Sequence, residues 1–313
     1  MISTTLGRTG LTVSRAGLGG GGHSRLGLSR GGTTTEAADL VRLALDLGVN
    51  YFDTAESYGT EEAIGIGIQG VPRESVVIST KLSVTEEGEL ALPLPFRKRI
   101  EGCLRRLGTD YLDVLSLHGI TLEEYEYARV ALLPTLLEMK REGKIHNLGL
   151  TEQFIHDTGH SVLQTALHDD DWDVMMVGFN MLNQSARERV FARTHPRGIA
   201  VQLMFAVRKA LSQPDALHLL ISFLEMKGHD FGPDFDREDP LGWLVHDGYA
   251  ATIAEAAYRY CAHEPGVDVV LFGTGSAVHL RENVKSICMP PLADVALAKI
   301  NRMFAGVDSV SGN

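Results

Sequence analysis

Asp53, Tyr58, Lys81 and His118 are the residues of this chain whose types and spacing could do chemistry. Asp53, Lys81 and His118 each directly follow a short apolar run, where a strand of purely structural role would next show Gly, Asn or Ser. Tyr58 lies five residues beyond Asp53. A tyrosine hydroxyl is a poor acid near neutrality, with a pKa of about 10. A neighbouring ammonium lowers that value by favouring the phenolate, and a carboxylate keeps the ammonium charged. Lys81 and Asp53 are of the right types for this. A neutral His118 could orient a carbonyl oxygen by hydrogen bonding. Together the four make Tyr58 a proton donor to a carbonyl that receives hydride, or a base towards an alcohol that loses it. No side chain supplies hydride, so the chemistry implies a nicotinamide.

Such a set needs a frame that brings consecutive strand ends together. Short apolar runs read as eight buried strands, at 14–19, 51–53, 76–81, 113–117, 147–150, 173–178, 199–203 and 267–272. Helical patterns fall between them, at 35–46, 96–107, 122–142, 185–194 and 252–263. The first has a capping-type start at Thr33–Glu36. Eight strands alternating with helices is the pattern of an α/β (β/α)8 TIM barrel, in which chemistry sits at the C-terminal strand ends. The glycine run 17–22 opens no helix directly, so it reads as a loop rather than a dinucleotide fingerprint. Residues 1–12 read as an N-terminal β-hairpin able to plug the barrel floor. Residues 209–248, with the Gly-, Pro- and Asp-rich stretch GHDFGPDFDREDPLGW, read as a long helical and loop segment after strand seven. No linker divides the chain, so 1–313 is expected to form one domain.

Composition agrees with a folded, enzyme-like protein. The 313 residues carry a net charge of −11, with 44% hydrophobic and 22% charged residues. That balance excludes a disordered chain, and the negative charge argues against nucleic-acid binding. The three cysteines, Cys103, Cys261 and Cys288, form no framework and suit a reducing compartment. The N terminus lacks an apolar leader pattern and no run approaches a membrane span. A cytoplasmic protein with a small-molecule partner is expected; its oligomeric state is not legible.

The stretches LGRTGLTVSRAGLG, GVNYFDTAESYGTEEAIG, VVISTKL, RRLGTDYLDVLSLHG, MKREGKIHNLGLTE and VVLFGTGSAVHLRENV resemble the aldo-keto reductase family from Leu6 to Val284. The resemblance implies a (β/α)8 barrel, NAD(P)H extended across its top, and a tetrad of Asp53, Tyr58, Lys81 and His118 with Tyr58 as general acid/base. It places the cofactor against Gly19, Asp53, Thr151, Glu152, Met176, Met204 and Phe205. It places the adenosine end at Gly273, Thr274, Gly275, Ser276, His279 and Asn283, the turn 273–276 feeding a helix N terminus that suits a phosphate.

Four departures from the family pattern stand out. Gly273 and His279 occupy positions that are often basic in NADP-preferring members; the grip on a 2′-phosphate is weaker without them, although His279 and Arg281 could partly substitute, so beside the expected NADP(H), use of NAD(H) or of both is open. Thr151-Glu152 replaces the usual Ser-Asn pair. Met176 replaces a Gln, and Met204, beside Phe205, replaces an aromatic. A carboxylate at Glu152 facing a cationic nicotinamide would favour oxidation; turned away, it should be ion-paired. Substrate contacts are expected from His23, Trp172 or Phe179, and from Phe231, Phe235 and Trp243. With Asp234, Asp236 and His229, these aromatics suit a sugar. The expected activity is NAD(P)(H)-dependent interconversion of an aldehyde, ketone or sugar hemiacetal with its alcohol or lactone. A redox-neutral lyase or isomerase, or a non-catalytic nicotinamide-binding protein, is the alternative.

Overall fold

The computed structural model describes residues 1–233 and 235–313; Asp234, one of the expected sugar contacts, lies outside the described residues. At the N terminus, β1 (Ser3–Thr5) pairs antiparallel with β2 (Thr12–Ser14) around a short turn. Leu6 and Val13 of this hairpin pack, fully buried, on Tyr51, Val77, Val114, Val174, Ala200 and Val269. Arg8 N–H donates to the Gly198 carbonyl at 2.6 Å, just before a strand begins. The hairpin therefore closes the N-terminal floor of the barrel, as its sequence suggests.

Eight parallel strands follow, each with its helices. They are β3 (Ala16–Gly19), α1 (Thr34–Asp46), β4 (Tyr51–Asp53), α2 (Glu61–Gly67) and β5 (Val77–Leu82). A two-residue ladder of β6 (Thr85–Glu86) and β7 (Glu89–Leu90) leads to α3 (Pro93–Leu107). Next come β8 (Leu112–Ile120), α4 (Leu122–Tyr127), α5 (Leu133–Arg141), β9 (Ile145–Glu152) and α6 (Ser161–Ala166). The remainder is β10 (Val174–Gly178), α7 (Ala192–Arg197), β11 (Ala200–Met204), α8 (Pro214–Met226), α9 (Trp243–His246), α10 (Ile253–Ala262), β12 (Val269–Phe272), α11 (Ala277–Ile287) and α12 (Asp294–Met303). The strands close in the order β3-β4-β5-β8-β9-β10-β11-β12, with β12 pairing back onto β3. This is the expected (β/α)8 barrel.

Local chemistry explains the boundaries. Thr33 and Glu36 form a reciprocal capping box that starts α1. The helix expected at 96–107 begins at Pro93, because proline has no N–H to lose in a first turn. The helix expected at 122–142 is interrupted by a π-turn at Ala128–Leu132, directly before Pro134, whose missing N–H cannot continue the ladder. The segment 209–248 holds α8, the loop and α9, inserted before α10, which packs on α11 and β12. β8 and β9 run further than their apolar cores, so His118, Thr151 and Glu152 lie on strands. Among the described residues no helix is long and apolar enough to cross a membrane.

Candidate active site

Strand alternation decides which side chains enter the barrel. The register pairs Gly19 with Asp53, Asp53 with Ser79, and Lys81 with Ser116, so these positions share the inward face. Thr151 pairs with Met176, which pairs with Gln202, on the same face. Asp53 and Lys81 are 4% and 1% exposed. The Lys81 ammonium donates to both Asp53 oxygens, at 2.8 and 2.7 Å, and to the Thr54 carbonyl at 2.6 Å. All three of its protons are thus engaged, which is how a buried ammonium stays charged.

Tyr58 reaches this pair from the turn after β4. Its hydroxyl lies 3.1 Å from His118 Nε2, the two rings meet edge to face, and Lys81 Nζ is 5.1 Å from its ring centroid. A Cβ on Gly21 would come within 2.5 Å of the Tyr58 ring, so that glycine lets the first loop close over the tyrosine. The structure therefore brings all four residues together. Burial and Lys81 push the His118 imidazole down to about 3, leaving it neutral. Burial raises the Tyr58 hydroxyl above its ordinary value, and Lys81 opposes that rise without overcoming it. Attraction to Lys81 alone suggested a lowered value; in the closed pocket desolvation wins. Burial likewise raises Asp53, against the pull of Lys81.

Two arginines that the sequence reading passed over complete the electrostatics. Arg25 and Arg208 both favour the Tyr58 phenolate. Arg208 lies 4.2 Å over the Phe205 ring and donates to Asn313 Oδ1 at 2.6 Å. Phe205 holds a φ of +70°, unusual for a bulky side chain, and turns the chain there. Neither arginine has a carboxylate partner among the described residues. The pair RK after strand seven was a visible signal, but nothing local pointed it at Tyr58.

Above the tetrad, the loop after β12 could hold a phosphate-bearing group. Thr274 Oγ1 accepts from Ser276 N–H, and Ser276 Oγ caps α11 by accepting from His279 N–H. The first turn of α11 has no acidic residue. Gly273, Gly275 and His279 are exposed, and Asn283 is half-buried one turn further along α11. Cβ atoms at Gly273 and Gly275 would approach the backbone of the first loop at 3.3 and 2.8 Å. The glycines thus let two loops meet at the mouth. Met176, Thr151 and Met204 share the inward face of β9–β11, with Met204 half-buried. This glycine-lined, tetrad-floored opening fits a nicotinamide dinucleotide.

Other expected contacts fall elsewhere. Glu152 follows inward Thr151 and so points out of the barrel. Its buried carboxylate lies 3.0 Å from His160 Nδ1 and accepts Gly178 N–H at 2.8 Å. It is raised by burial and does not face the mouth. Trp172 precedes β10, at the floor end, fully buried with its indole N–H on the Tyr125 hydroxyl. It cannot line a mouth at the opposite end. Phe179 is fully buried, stacked on Tyr260. Phe231 and Phe235 stack on each other. With Trp243 and Asp236 they line a cavity of about 590 Å³ against Lys299 and Met303 of α12, to which no tetrad residue contributes. His229 bonds the Met303 carbonyl. His23 is exposed, two residues beyond Gly21.

Comparison with known proteins bears on the family and the fold. The profile of the Aldo/keto reductase family matches residues 18–304. The chain is 36% identical over 288 residues to L-galactose dehydrogenase of Arabidopsis thaliana, covering 90% of this chain and 86% of that protein. It is 27% identical to the NADH-specific methylglyoxal reductase of Escherichia coli (strain K12), covering 67% and 69%. An aldo-keto reductase from Bacillus halodurans in its holo form superposes with a TM-score of 0.75, at 23% identity, covering 97% and 96%, which bears on the fold. The protein belongs to the aldo/keto reductase family. It is an oxidoreductase of the nicotinamide-dependent kind that interconverts carbonyl compounds and alcohols.

Proposed function

We propose that this protein is an aldose dehydrogenase that oxidises a sugar hemiacetal to its lactone, preferring NAD(H), with Tyr58 as general acid/base. The observation that carries the reading is the Tyr58–His118 contact of 3.1 Å above the fully engaged Lys81–Asp53 pair. Bound nicotinamide supplies the hydride acceptor or donor. Tyr58 Oη takes the proton of the anomeric hydroxyl as the anomeric carbon loses its hydride and its C–O bond becomes a carbonyl. In the reverse direction Tyr58 gives that proton back to the carbonyl oxygen. His118, held neutral, orients the reacting oxygen by a hydrogen bond. Lys81 stabilises the phenolate, and Asp53 holds Lys81 in place. Because burial holds Tyr58 protonated near neutrality, oxidation speeds up as the pH rises and reduction is favoured at lower pH.

The sugar class is supported by the 36% identity to a dehydrogenase of L-galactose. The NAD(H) preference is supported by Gly273, where a lysine or arginine would grip a 2′-phosphate. Arg25 and Arg208, lacking carboxylate partners among the described residues, suit a polyhydroxylated or anionic ligand at the mouth. The test is a panel of aldoses, L-galactose included, assayed for NADH and NADPH formation with lactone identified as product. NADH formation on a subset of aldoses is expected. Reduction of small carbonyl compounds with no aldose oxidation in either cofactor would contradict the reading.

A further inference from the structure

Below the tetrad the barrel axis is polar where packing alone would be served by aliphatic side chains. Ser79, Ser116 and Gln202 face inward with Asp53, and Ser79 and Gln202 are fully buried. Gln202, on β11, reaches across to β5, where its Nε2 donates to Ser79 Oγ at 3.1 Å. Gln202 Oε1 finds no protein partner, so the bond to Ser79 is what this amide delivers to the protein. Having accepted that N–H, the Ser79 hydroxyl keeps its own proton to donate. Two acceptors stand near it: the unpartnered phenol of Tyr51, and the Asp53 carboxylate directly opposite on β4. The charged acceptor makes the stronger bond. A Ser79 hydroxyl turned to the carboxylate opposite it favours the ionised form of Asp53 against burial.

We propose that Gln202 and Ser79 are positioning residues for the reaction, acting through the chain Gln202 Nε2–H to Ser79 Oγ–H to the Asp53 carboxylate. The chain fixes Asp53 from below while Lys81 fixes it from above, and so sets where the ammonium sits beneath Tyr58. The inference rests on the reading of Tyr58, Lys81 and Asp53 given above. It explains why strand seven carries a glutamine in the otherwise apolar run VQLM. The interaction is directional, so a side chain of equal bulk without the N–H cannot replace it.

The test uses the full-length protein, three single variants, the double variant Gln202→Met/Ser79→Ala, and Asp53→Asn for assignment. Gln202→Met keeps the bulk and removes the donor, Ser79→Ala removes the relay hydroxyl, and Ser79→Thr restores it. Asp53 titration is followed by carbon-13 NMR of labelled aspartate carboxyls, assigned by the resonance lost in Asp53→Asn. Turnover is followed as kcat and KM against pH. Losing the donor removes a bond that favours the anion, so Asp53 takes up its proton at higher pH. Q202M and S79A are both expected to titrate higher than wild type and to move the acid limb of kcat upward. In both, kcat at low pH falls about threefold to tenfold, the factor one net hydrogen bond supplies, with cofactor KM within about twofold. S79T stays near wild type, and the double variant goes no further than either single one. Unmoved Asp53 titration in Q202M, or effects that add independently in the double variant, would overturn the proposal. The titration needs no substrate, so it decides the matter even if the aldose panel fails. Should Q202M not fold, the S79A and S79T pair decides it in the same way.

Discussion

The two halves of the barrel mouth bury titratable pairs to opposite ends. On the β4–β5–β8 side, Asp53 and Lys81 point inward, and Tyr58 and His118 close over them. On the β9–β10–β11 side, the inward positions hold Thr151, Met176 and Met204, and the buried carboxylate is the outward Glu152 on His160. His160 continues to Ser185 at 3.0 Å, Ser185 to Asn183, and Asn183 to the Val310 carbonyl. This chain ties the loops after β9 and β10 to the C-terminal segment. One residue of strand parity separates the two outcomes. A buried pair facing the axis meets a ligand; one facing the helices can only hold protein to protein.

Variants in each half should separate these roles. Of the variants that compare the two halves, Lys81→Met is expected to have the largest effect. It leaves Asp53 buried and unpaired, costing about 3–5 kcal/mol of stability, and it removes the charge that supports the Tyr58 phenolate, lowering kcat about 100-fold or more. Denaturant melts and steady-state kinetics check both. Glu152→Ala should cost about 3 kcal/mol by orphaning His160 and the Gly178 N–H, with kcat per folded molecule within about threefold of wild type. A large kcat loss in soundly folded E152A would erase the contrast between the halves.

The next effect is a pH dependence. His118 is held neutral down to about 3 against an ordinary 6.5, so below 6.5 the unfolded chain binds a proton that the folded chain refuses. Stability is therefore lost as the pH falls through 6.5, by about 2 kcal/mol at pH 5, and His118→Gln should remove that part of the loss. Melts of both proteins between pH 7 and 5 measure it; parallel curves would contradict the assigned neutrality. The smallest effect concerns the cofactor. Gly273→Lys should shift the ratio of NADPH to NADH affinity about fivefold to tenfold towards NADPH, read by fluorescence titration. An unchanged ratio would remove Gly273 from the phosphate site.

The eight strands were legible because each is a short apolar run punctuated by glycine and charge, and the tetrad because polar residues ended those runs. Strand limits were less legible: β8 and β9 gain length from ladder pairing beyond their apolar cores. Glu152 was left between two readings for a related reason. Sequence position set it at the mouth, while the alternation anchored by Thr151 turns it outward. Trp172 was misplaced because nearness to a strand does not tell its start from its end. Phe231 and Trp243 belong to an insertion whose packing against α12 no local pattern announces. Arg25 and Arg208 were hidden because their approach to Tyr58 depends on loops about 180 residues apart in sequence. Gln202 could have been found by parity, as the one inward polar residue of its run.

The most direct test of the account is the kinetics of Tyr58→Phe beside its cofactor affinity. Loss of about 1,000-fold in kcat in both directions, with NADH affinity within about twofold of wild type, is the predicted result. Turnover near the wild-type rate would contradict Tyr58 as the proton-transferring group.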